Sequence, residues 1–107
     1  MNTLKPLAYG YLRLSPDIDD ETVRLVELKL KEHAEALGCE FATYFYEDGS
    51  GRFSAWNELL TEVQRADAHH VIVPSLDHLT THPILRLGLL ERAQQDAKVE
   101  VHELSDE

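Results

Sequence analysis

At 107 residues, the chain is long enough to bury one core unaided and too short for a second domain of ordinary size. Its single cysteine, Cys39, excludes an internal disulfide, and no apolar run is long enough to span a membrane. Twenty acidic residues against 10 basic give a net charge of −10, which works against the phosphate neutralisation that direct DNA binding draws on.

The basic residues do not gather into a patch that would offset this. Lys29 and Lys31 lie among Glu27, Glu32 and Glu35, and Arg86 and Arg92 are far from them. The opening Met1-Asn2-Thr3-Leu4-Lys5 lacks the apolar stretch of a signal peptide, so a cytoplasmic protein is expected.

Residues 7–14 read as a buried strand, with Tyr9 and Tyr11 flanking Gly10. Asp17-Ile18-Asp19-Asp20 is rich in helix-capping residues, and a helix follows over about 20–37 with Val23, Val26, Leu30, Ala34 and Leu37 on one face. Gly38 stands where a left-handed residue ends such a helix. Residues 40–46 are aromatic and β-branched and predict a strand. Glu47 to Ser54 holds two glycines and no periodicity, as a loop would.

Ser54 is placed to cap a helix over about 55–67, which offers Trp56, Leu59, Leu60 and Val63 to the core. A short buried strand follows at 70–73. His82-Pro83 opens a third helix, proline being tolerated in the first turn, with Ile84, Leu87, Leu90 and Ala97 expected inward. Leu85 and Leu89 widen that stripe beyond one core face, which favours self-association as a homodimer. Residues 98–104 alternate with period two, as an edge strand does.

The order β-α-β-α-β-α-β predicts an α/β fold in one domain over 1–107. The expected architecture is a three-layer α/β/α sandwich on a mainly parallel sheet of four or five strands. Ligands of such sheets bind at the carboxyl ends of the strands. That edge receives Arg13 and Ser15 from the first strand, and the loop Pro74-Ser75-Leu76-Asp77-His78-Leu79-Thr80-Thr81 from the third. Residues i and i+2 of a strand face one side, so the Arg13 guanidinium and Ser15 hydroxyl can share a space suited to an anion. Ser15-Pro16 also fits a plain strand end and turn, and Asp77 fits a helix cap.

Six histidines raise the question of a metal. His69 and His70 are adjacent and point to opposite sides of a strand, and Pro83 spoils the His78–His82 spacing. Neither a metal nor a cofactor is expected.

Four stretches together resemble the serine recombinases of the resolvase/invertase group. Tyr11-Leu12-Arg13-Leu14-Ser15 is similar to their Tyr-x-Arg-x-Ser opening, and the helix over 20–37 ending in Gly38 to their first helix. Glu47-Asp48-Gly49-Ser50-Gly51-Arg52 resembles their acidic Ser-Gly loop, one residue shorter. Ala68 to Leu79 resembles their strand leading into Leu-Asp-Arg-Leu. In that family the serine attacks a DNA phosphodiester without a metal. The resemblance implies Ser15 as nucleophile, Arg13 as phosphate ligand and Asp77 as proton handler for the leaving sugar oxygen.

The departures fall on charge. His78 stands where the family has an arginine after the aspartate, and Thr81 where it has a second. Ala55, Trp56 and Asn57 occupy the region of a further arginine, and the glutamine usual in the first helix is absent. Arg52, several residues too early, is the nearest substitute, and it joins Arg13 and Ser15 as a candidate anion ligand. The chain ends at Glu107, just after the last strand, so neither a long dimerisation helix nor a DNA-binding module is expected within it.

The expected function is a recombinase-like domain that no longer cleaves, acting on a protein partner or an anion. That partner is a second copy or a recombinase-like protein. Two alternatives stand beside it: an active recombinase subunit cleaving through Ser15, and a flavodoxin-like module for a phosphorylated ligand.

Overall fold

The first strand, β1 (Leu7–Arg13), is apolar on both faces, and Ala8, Tyr9, Tyr11 and Leu12 are all buried. A strand of this kind must lie in the middle of a sheet with helices on either side. The computed structural model describes residues 5–48 and 53–104. Over these, β1 is followed by α1 (Asp20–Ala36), β2 (Glu40–Glu47), α2 (Ser54–Arg65), β3 (His70–Val73), a 3-10 turn (Leu76–His78), α3 (Pro83–Ala97) and β4 (Glu100–Glu103). The strand order is β2-β1-β3-β4, and every neighbouring pair is parallel. The expected α/β sandwich is present, with four strands among the described residues and β4 on an edge.

Side chains alternate across the sheet and build two half-cores. Ala8, Leu12 and Ile72 meet Leu30 and Ala34 of α1 and the buried Cys39. Tyr9, Tyr11, Val71 and Val73 meet Trp56, Leu59 and Val63 of α2 and Ala93 and Ala97 of α3. Gly10 sits at a close approach: a Cβ there would lie 3.0 Å from the Tyr44 ring and 3.1 Å from that of Phe41, so either ring would have to give way. Both rings come from β2, where a bulge lets Ala8 pair with Phe41 but Gly10 with Tyr44. Gly38, at φ +83°, follows α1 in the left-handed conformation expected of it. No helix among the described residues is long and apolar enough to cross a membrane.

Two expectations are corrected. Ser54 is the first residue of α2 rather than its cap, and Phe53, at the cap, offers no side-chain bond. Glu47 does the capping from the end of β2. Its carboxylate accepts from the main-chain N–H of Ala55 at 3.3 Å and of Trp56 at 3.2 Å, and from the Tyr11 hydroxyl at 2.9 Å. Only 3% exposed, this acid is held by three donors and by the positive end of the α2 dipole. Burial first, and then the bond to Glu47, push the Tyr11 phenol above the ordinary phenol range.

The second correction concerns α3. Its inward stripe runs through Arg86, Leu90, Ala93 and Ala97 at helical spacing, while Ile84 is 78% and Leu87 58% exposed. Alanines let the helix axis approach the sheet, and Arg86 at the head of the same stripe is drawn into an ion pair with Asp77. The large residues Ile84 and Leu87 are rotated outward as a result.

Glu47→Ala removes the shared acceptor of three buried donors. It is expected to lower the unfolding free energy by about 2–3 kcal/mol, read as a fall in urea midpoint at constant m-value. Glu47→Gln keeps one oxygen in place and should lose less.

Candidate active site at the carboxyl edge of the sheet

The end of β1 and the loop after β3 enclose a groove of about 340 Å³ lined by Arg13, Leu14, Ser15, Pro16, Ser75, Asp77 and His78. Arg13, Ser15 and Asp77, far apart in sequence, thus border one space. Ser15 is exposed, and its carbonyl accepts from the Ile18 N–H at 3.2 Å, closing the turn that Ser15-Pro16 begins. A second groove, of about 350 Å³, adjoins it on the β2 side and adds Tyr46, Glu47 and Asp48. Arg52, the third candidate anion ligand, lies outside the described residues.

The Arg13 guanidinium does not stand open in the groove. Its Nε donates to the His78 carbonyl at 3.0 Å, Nη1 to the Asp48 carbonyl at 3.0 Å and Nη2 to the Leu79 carbonyl at 3.1 Å. Its carbon lies 5.8 Å from the centre of the Phe53 ring. A planar fork with donors in several directions can tie two other chain segments to its own strand at once, which a lysine cannot do. All three acceptors are main-chain oxygens rather than carboxylates.

His78 completes the clamp from the other side. The main-chain N–H of Arg13 donates to its Nδ1 at 3.1 Å, so the ring proton sits on Nε2 and the ring is neutral. Burial, and then the nearby Arg13 charge, hold its pKa below the ordinary imidazole value, with Asp77 opposing. His78 therefore adds no positive charge where the family resemblance places an arginine.

Asp77 does not cap a helix. Ser75 caps the 3-10 turn, its Oγ accepting from the Asp77 N–H at 3.1 Å, and His82 caps α3 through Nδ1. The Asp77 carboxylate instead accepts from Arg86 Nη1 at 2.9 Å. Sequence reasoning passed over Arg86 as one of the scattered basic residues, although its place one turn into a helix facing the loop was the available signal. The loop is tied down further by Glu103, whose carboxylate accepts from the Leu76 N–H at 2.9 Å.

Across the β3–β4 pairing, His70 Nδ1 lies 3.1 Å from His102 Nε2. His102 belongs to a different strand, and only the register between the strands reveals the pair.

Arg13→Ala is expected to destabilise the domain by about 1–3 kcal/mol through the released carbonyls, with Arg13→Lys restoring little of it. Ser15→Ala, at an exposed position, should stay within about 0.5 kcal/mol. Denaturant titration of the three variants checks this.

A depressed histidine pKa has a definite sign. Below the unfolded value of 6.5 the unfolded chain takes up the proton first, so stability present above that pH is lost as pH falls. His78→Asn supplies an oxygen in place of Nδ1 and cannot titrate. It should flatten part of the stability loss between about pH 6.5 and 5, and the rest stays with groups such as His102, likewise held low first by burial.

The Resolvase, N terminal domain family matches residues 8–107. Among solved structures, the N-terminal catalytic domain of TP901-1 integrase superimposes with a TM-score of 0.73 at 20% identity, over 92% of this chain and 76% of that one. A resolvase family site-specific recombinase from Streptococcus pneumoniae gives a TM-score of 0.76 at 17% identity, over 94% of this chain and 72% of that one. No curated protein matches the chain. The solved structures share the fold, the family match runs nearly from end to end, and on that ground the chain belongs to the resolvase N-terminal domain family.

Proposed function

We propose that this domain keeps the resolvase fold without strand cleavage, and acts by binding a protein partner. The observation that carries the reading is the clamp: the Arg13 charge is directed at three main-chain carbonyls rather than at the groove.

Phosphoryl transfer to a serine concentrates negative charge on the transferring group, and preorganised donors aimed at that charge supply most of the rate. Here the residues bordering the two grooves at Ser15 include Glu47, Asp48 and Asp77 and a single arginine, Arg13, among the described residues. Arg86 reaches the same edge, and Asp77 takes up its charge at 2.9 Å. Each lost donor costs roughly 10²–10³ in rate, so the loss of two or three leaves a cleavage rate lower by several orders of magnitude. For Asp77 to handle a proton it would first have to leave Arg86.

The partner surface that fits the reading is the outward side of α3. Ile84, Leu85 and Leu87 are all exposed there, an apolar patch on an otherwise strongly acidic chain. A second copy or a recombinase-like protein would cover it.

The deciding experiment incubates the full chain with supercoiled plasmids carrying fragments of its source genome, quenches with denaturant and probes for covalent protein–DNA adducts. No adduct above the Ser15→Ala background is expected. An adduct that forms with Ser15 and disappears with Ser15→Ala overturns the proposal and makes the domain an active recombinase subunit.

A further inference from the structure

On the α1 side of the sheet, β3 and β4 bring together His70, Glu100 and His102, whose nearest ligand atoms all lie within 4.8 Å of one another. The strand register makes this grouping: His70 pairs directly with Glu100, and His102, two residues on, projects from the same face. α1 packs over β1, β2 and β3 on this side, and the three residues sit beyond it at the sheet edge. Glu100 is exposed and the two histidines are half-buried.

We propose that His70, Glu100 and His102 form a binding site for a divalent transition-metal ion, with zinc the best match. The separation of the two imidazole nitrogens is the leading argument. Ligand nitrogens about 2.0–2.1 Å from a tetrahedral zinc lie about 3.3 Å apart, and His70 Nδ1 and His102 Nε2 are already 3.1 Å apart. The ring centroids are 5.3 Å apart with 27° between planes, and small rotations about the side-chain bonds turn both lone pairs toward one point beside the strands. The longer reach to Glu100 is closed by rotating an exposed, flexible side chain. Two imidazoles and one carboxylate are a donor set of borderline softness, which suits zinc better than calcium or magnesium.

Three protein ligands leave a fourth position open to water or to a group from a partner. Bound there, the ion joins β3 to the edge strand β4 by a second kind of bond alongside the ladder. The site lies away from the groove at Ser15 and is independent of how that groove is read.

The test is a titration of the full, tag-free chain with zinc chloride by calorimetry, repeated with cobalt(II) followed by its visible absorption. Expected are one equivalent bound, the intense bands of four-coordinate cobalt, and a zinc-dependent rise in melting temperature. His70→Ala and His102→Ala should weaken binding by at least about tenfold, the scale on which even outer-shell changes act. Glu100→Gln, exposed and therefore safe for the fold, should weaken it measurably, and His69→Ala should leave it unchanged. Absence of stoichiometric binding overturns the proposal. So does binding that survives the His70, Glu100 and His102 changes, or a sulfur-to-cobalt band placing the ion on Cys39.

Discussion

A guanidinium with three N–H directions committed to main-chain oxygens holds the carboxyl edge of this sheet together. Where a parallel ladder stops, its last carbonyls lose their partners, and oxygens shielded from water must find other donors. Main-chain N–H groups of Leu14 and Leu104 serve the last ladder carbonyls, of Glu47 and Val73, and Arg13, at the end of the central strand, supplies donors in one planar group to the loop carbonyls beyond them. It reaches Asp48 just past β2, and His78 and Leu79 in the loop after β3. Its own main-chain N–H is taken by the His78 ring. Residue 13 therefore sets the shape of the loop that carries Asp77, and with it the walls of the groove at Ser15.

The same edge is organised by pairing rather than by free charge. Glu47 is buried against the start of α2 and the Tyr11 hydroxyl, Asp77 is matched by Arg86, and His78 is neutral because its lone pair is occupied. Each arrangement lowers the cost of placing a polar group near the core. Each also removes a charge that a phosphate could otherwise meet. Stability at this edge and affinity for a phosphodiester draw on the same few side chains, and in this chain the bonds run inward.

The periodic part of the fold was legible in the sequence. The bounds of β1, α1 and β3 follow from the sequence to within a residue or two, because β1 and β3 are short unbroken apolar runs and α1 repeats its apolar residues at helical spacing. Pairing between distant residues was not legible. Glu47 looks like the start of a polar loop, and nothing in its neighbourhood shows that N–H groups eight and nine residues later will hold it in the core. In α3, helical spacing fits two stripes, one through Ile84 and Leu87 and one through Arg86, Leu90, Ala93 and Ala97. Side-chain size favours the first on paper, yet close packing against the sheet selects the second, because small residues permit it. Ser15, Arg13 and Asp77 were brought to one edge by the strand order alone. What Arg13 and Asp77 bind there depended on coordinates.

The edge strand links this site to the rest of the sheet. β4 has four residues, and on it Val101 packs against the main core while Glu100, His102 and Glu103 are polar. Such a strand is held mainly by its ladder to β3, and regions with few buried apolar contacts open first. Yet Glu103 reaches over to accept from the Leu76 N–H, and the Leu104 N–H donates to the Val73 carbonyl. The loop bearing Asp77 and His78 is thus fastened at one end by Arg13 and at the other by β4. Any contact that steadies β4, whether a bond through His102 or a partner along the sheet edge, also steadies that loop. Fraying of β4 releases Leu76 and loosens the groove wall from the side opposite Arg13. The edge strand β4 and the groove at Ser15 therefore share one mechanical support, through the Glu103 carboxylate.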